Sequence, residues 1–156
     1  MLYLVLKTLH ILSALLFLGA GLMTAYYKVR ADRSGDLRVL AWYQREIVLA
    51  DWIFTLPSGI TLPATGLWLA VLLGQPLTSG WVALGIGAYA LAGLLWVPAA
   101  VLQLRMRGLA ERAIRDGTAL PEAFHRANRL WLALGVPAFA VSIAALWLMV
   151  AKHAAF

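Results

Sequence analysis

Cysteine is absent from the 156 residues, which removes disulfides, thiolate metal sites, iron–sulfur clusters and thiol nucleophiles together. Charge is scarce. Only 13% of residues are charged and 63% are hydrophobic, where a soluble domain carries about a quarter and about half. Acid is scarcer than base, with 7 Asp and Glu against 13 Lys and Arg. The net charge of +6 does not point to nucleic acid, because the basic residues fall in two short segments between apolar runs, as in positive-inside loops. No phosphate-binding loop, catalytic triad, zinc motif, repeat or low-complexity tract is present.

Long apolar sequence is what the chain has in quantity. Four runs, at about 2–27, 47–73, 81–104 and 130–151, reach the ~20 residues that a ~30 Å hydrocarbon core requires of a helix. The first exceeds the ~7–15-residue core of a secretory signal and is followed directly by Lys28, Arg30 and Arg33, so it reads as a retained transmembrane helix. Ser34, Gly35 and Asp36 supply a helix stop, a turn and a new N-cap, and the second helix is expected from Leu37. Residues 74–80 form a compact turn rich in breakers. The third helix extends to Asp116, where Gly117 caps it, and Pro121 opens the fourth with Glu122 near its N-terminus. Short connections make neighbours antiparallel, so residues 1–156 are expected to form one all-α domain, an integral-membrane up-down-up-down four-helix bundle.

The loops set an expected orientation. Lys28, Arg30, Arg33, Arg38 and Arg45 lie between the first two spans, and Arg105, Arg107, Arg112, Arg115, Arg126 and Arg129 between the last two. The other side offers Lys7 and Lys152 and an uncharged turn. Both basic loops are therefore expected in the cytoplasm and both termini outside, with the lipid bilayer of a bacterial inner membrane as the solvent. Gly19, Ala20, Gly21, Gly85, Gly87 and Gly93 are candidates for close helix contact. Pro57, Pro63, Pro98 and Pro137 should kink their helices and free carbonyls that need donors or a protected interior.

One ionisable side chain, His10, lies well inside the first run. An intramembrane ionisable residue marks a functional site by default. Counting about 12 Å inward along the other spans reaches Thr65, Tyr89 and Ser142, a possible polar layer in the outer half of the bundle. Two readings stand side by side: His10 hydrogen-bonds a hydroxyl or carbonyl of a neighbouring helix, or it ligates a metal, a haem iron or a quinone. A six-coordinate haem b needs a second axial group, and His125 and His153 lie at other depths. Tyr89, Met149, water or the His10 of a second subunit are the remaining choices. Asp51, Thr55, Ser58, Thr61 and Thr65 form a polar stripe on one face of the second helix, either back-bonded to their own helix or lining a path. Asp51 is expected to pair with Arg129 or Arg105, while Glu111–Arg115 and Glu122–Arg126 have the spacing of i,i+4 pairs.

The motifs Leu9-His10-Ile11-Leu12 with Gly19 and Gly21, Asp51 with Pro57, Thr65-Gly66-Leu67 and Leu148-Met149-Val150-Ala151-Lys152 run the length of the chain. In them the chain resembles a bacterial family of four-span integral membrane proteins of unknown function. More distantly, Lys7-Thr8-Leu9-His10 is similar to the Lys-x-x-His helix opening of CopD-like copper-resistance proteins and of HemJ-type protoporphyrinogen oxidases. The HemJ resemblance implies haem binding at His10. Those enzymes also use a lysine in a later span, and the third run here has none. The expectation is thus a small redox membrane protein, with haem b at His10 and a homodimer or membrane redox partner. Its alternative is a non-catalytic assembly or accessory subunit or small permease component with His10 as interhelical glue.

Overall fold

The computed structural model describes residues 1–78 and 80–151. Its elements are α1 (Leu2–Arg33), α2 (Leu37–Ala50), a π-helical turn (Asp51–Thr55), α3 (Leu56–Leu72), α4 (Gly80–Asp116) and α5 (Glu122–Ala151). The π-turn joins α2 to α3 without a break, so the described residues make four long rods, each long and apolar enough to cross a membrane. The fold is the expected all-α bundle. His153 and Lys152 lie outside the described residues.

Helix ends follow local chemistry. Ser34 closes α1, Gly35 adopts φ +69, and the Asp36 carboxylate accepts from the Arg38 N–H at 2.7 Å as the N-cap of α2. Gly117 turns the chain at φ +64 after α4, because a left-handed residue there costs glycine nothing. Pro57 explains the π-turn: it has no N–H, and its ring would press on the carbonyl four residues back in a regular helix. The Leu56 N–H instead reaches the Asp51 carbonyl five residues back, and the widened turn admits the proline.

The rods pair as two antiparallel hairpins. Helix α1 packs along α3 and the end of α2, α4 packs along α5, and α2 against α4 joins the two; α1 with α5 and α3 with α4 touch only lightly. The seam between hairpins is densest at the end carrying the basic loops. There Leu40, Ala41, Ala99, Met106, Ala110, Phe124, Ala127 and Trp131 form the buried core. Much of the remaining apolar surface faces outward, including Leu15, Trp52, Leu94 and Val136, as a lipid-solvated protein requires.

Close approach uses fewer glycines than the sequence suggests. A Cβ at Gly19, Gly87 or Gly93 would meet nothing within 4 Å, while Gly21 has the Phe139 ring at 3.9 Å. Gly85 seats Met149, whose Cε would lie 2.6 Å from such a Cβ. The tight glycines of the α1–α3 seam are Gly59, against Phe17, and Gly66, against His10. On α4 and α5, Ala92, Ala99, Ala110, Ala127 and Ala138 are buried, and small residues let helices approach closely.

Candidate functional site

His10 starts about 12 Å along α1 from Leu2 and turns toward α3, half-buried. Its Nδ1 lies 3.0 Å from the Leu62 carbonyl oxygen and 3.1 Å from Thr65 Oγ1. A carbonyl only accepts, so the ring carries its hydrogen on Nδ1 and donates. The Thr65 hydroxyl hydrogen goes to the Thr61 carbonyl at 2.7 Å, which leaves Thr65 Oγ1 as a second acceptor for the same N–H. The neutral ring then has its lone pair on Nε2. Gly66 makes room for it: any Cβ there would stand 2.9 Å from His10 Cε1.

Of the expected polar layer, His10 and Thr65 meet. Tyr89 reaches α3 from α4 but bonds elsewhere, donating to the Gly59 carbonyl. That carbonyl is four residues before Pro63, whose missing N–H leaves it without a helical partner. Ser142 is not drawn in: its hydroxyl donates to the Ala138 carbonyl of its own helix at 2.8 Å. The α2–α3 stripe faces inward, with Thr55, Ser58 and Thr65 buried. Three of its hydroxyls bond back to their own helix, Ser58 to Thr55 O at 3.1 Å, Thr61 to Pro57 O at 2.8 Å and Thr65 to Thr61 O at 2.7 Å, the bland alternative to a lined path.

The ion pairs differ from those expected. Asp51 and Arg129 do not pair; exposed Arg129 Nη2 bonds Glu122 Oε1 at 2.9 Å instead, because the first turns of α5 hold the two on one face and Asp51 belongs to the inward face of the other hairpin. Glu122 is therefore taken by Arg129 rather than Arg126. Glu111 receives Arg107 and Arg45 on one oxygen, each at 3.0 Å, and Arg115 turns to Asp116 at 3.8 Å.

Lys28, expected in a solvated basic loop, is only 1% exposed. Its Nζ donates to both Asp32 oxygens at 2.7 Å and lies 5.5 Å from the Phe124 ring and 5.9 Å from that of Trp131, within cation–π range. Asn128 Nδ2 completes the cluster on Asp32 Oδ2 at 3.0 Å. Lys28-x-x-x-Asp32 is the one signal in sequence, an i,i+4 pair. The aromatic lid comes from α5, about a hundred positions away.

A haem or metal at His10 can be tested against these donors. Donation from Nδ1 to a carbonyl is the support that ligating histidines usually have, and Nε2 is the ligand atom it leaves. The remaining donors are committed: Tyr89 to Gly59, Ser142 to Ala138, and Met149 to its seat on Gly85. His125 stacks edge-on to Phe124 at the basic end. Among the described residues no three metal-binding side chains cluster. Among the described residues, His10 Nε2 is the atom that would fit one axial position.

A family model described as "Predicted integral membrane protein (DUF2269)" matches residues 4–153. No curated protein and no solved structure matches the chain.

Proposed function

The chain belongs to the family of predicted integral membrane proteins (DUF2269), and from that premise we propose a non-catalytic four-span module of the bacterial cytoplasmic membrane, an accessory or assembly subunit, in which His10 ties α1 to α3. The observation that carries this reading is the internal partnering of the outer half. His10 is spent on Leu62 and Thr65, Tyr89 on the carbonyl freed by Pro63, and Ser142 on its own helix. The excess of Lys and Arg in the two loops supports a cytoplasmic position for the end that carries them. A second reading, haem or another metal at His10, is favoured by the Nδ1–H donation that leaves Nε2 as a ligand atom.

One experiment separates them. The protein is purified in mild detergent from cells with ample haem, and visible spectra are taken with and without dithionite. The structural reading expects no Soret band, and expects His10→Ala to cost about 1 kcal/mol of bundle stability, the size of an intramembrane hydrogen bond. A stoichiometric Soret band that His10→Ala abolishes with the fold intact would overturn it.

A further inference from the structure

Outside the His10 seam, α1 and the α2–π segment diverge to leave an open groove of about 420 Å³ on the side of the bundle, within the range of small-ligand sites. Gly19, Met23 and Phe54 line its apolar part, and Tyr27, Tyr43 and Glu46 its end nearer the basic loops. Tyr43 fixes the level, its hydroxyl donating to the Thr24 carbonyl of α1 at 2.7 Å. Glu46, three residues further along α2, lies about 4.5 Å deeper, level with the apolar stretch of α1.

Glu46 makes no ion pair or hydrogen bond among the described residues. Its neighbour Arg45 is committed to Glu111 and Lys28 to Asp32. An acid beside apolar sequence is costly without a counter-charge, and among the described residues none pairs with it. Beside it the Tyr27 and Tyr43 rings stand 6.2 Å apart. An acid with adjacent aromatic faces is the chemistry that recognises an alkylammonium.

We propose that this groove binds a hydrophobic organic cation, with its ammonium against Glu46 and the two tyrosines and its apolar chain along Gly19, Met23 and Phe54. The site goes beyond the role given to His10 and shares no residue with it. A single-chain cation is the proposed occupant, its one apolar chain matching the single strip along Gly19, Met23 and Phe54.

Binding of dodecyltrimethylammonium to the full chain in maltoside micelles, followed by isothermal titration, tests this. The expected result is one cation per chain, bound at least tenfold more weakly by Glu46→Gln, with neutral dodecanol failing to compete. Gly19→Leu is the second variant. Its Cβ meets nothing in the fold, so the chain still folds, but its side chain fills the groove and binding is lost. Equal binding by Glu46→Gln, competition by dodecanol, or undiminished binding by Gly19→Leu would overturn the proposal. So would a tightly held aminophospholipid that the cation cannot displace, or a dimer that Gly19→Leu dissociates.

Discussion

The Tyr89 hydroxyl of α4 donates to the carbonyl of Gly59, the residue four before Pro63 on α3. A proline inside a transmembrane helix leaves one carbonyl without its N–H, and hydrocarbon offers no replacement. Tyr89 supplies the missing donor from the other hairpin, where α3 and α4 otherwise touch little. Tyr89→Phe should therefore cost about 1 kcal/mol. In a Pro63→Ala background, where the helix itself provides the N–H, most of that cost should vanish. A double-mutant cycle read by denaturant titration in detergent checks the coupling.

Gly66 and His10 form a second coupled pair. A methyl group at Gly66 would lie 2.9 Å from His10 Cε1, so Gly66→Ala must push the ring off Leu62 and Thr65. Overpacking of this kind costs about 1–3 kcal/mol. The same substitution in a His10→Ala chain has free space to enter and should be close to neutral. Thermal melting of the four chains measures this, and an equal penalty in both backgrounds would refute it.

Lys28 is the buried cation of the molecule's basic end. Lys28→Met removes the partner of Asp32 and leaves that carboxylate with Asn128 as its remaining donor. Loss of one member of a buried pair costs about 3–5 kcal/mol. Asp32 keeps a 25% exposed side chain, so the lower part of that range or below is expected. Lys28→Met with Asp32→Leu removes both charges and should recover much of the loss, as melting temperatures would show.

Orientation can be read directly because the chain has no cysteine of its own. Thr78 and Thr118 are exposed on opposite ends of the bundle. In intact cells a membrane-impermeant maleimide should label Thr78→Cys and spare Thr118→Cys until the membrane is opened. The reverse pattern would place the basic loops outside.

Level along the bundle is legible in sequence, and rotation about each helix is not. Helix ends read correctly because their causes are local: Asp36 bonds two residues on, and Gly35 and Gly117 adopt left-handed backbone. Counting depth also brings His10 to Thr65. The same count selects Ser142, which shares the level but faces its own backbone. Asp51 with Arg129 fails because similar expected depth says nothing of facing: Arg129 turns to Glu122 on its own helix. Lys28 reads as a loop charge until Phe124 and Trp131 arrive from the far end of the chain. Glycine counts mislead too, because a small residue matters only where a partner seeks the space, as His10 does at Gly66.

The π-turn at Asp51–Thr55 has a consequence for how this chain can change length. Each residue of a regular helix advances the direction of its side chains by about 100°, and the wide turn holds one residue more than an ordinary one. Deleting a single position there, with Pro57 replaced so that an ordinary turn can close, leaves the direction of everything beyond it nearly unchanged. Thr65 and Gly66 would still meet the imidazole, and Gly59 the phenol that serves it. The same deletion in the regular coil between Gly59 and Thr65 would swing Thr65 and Gly66 away by about that angle, so the wide turn is slack the chain can give up without unfastening the half that holds His10.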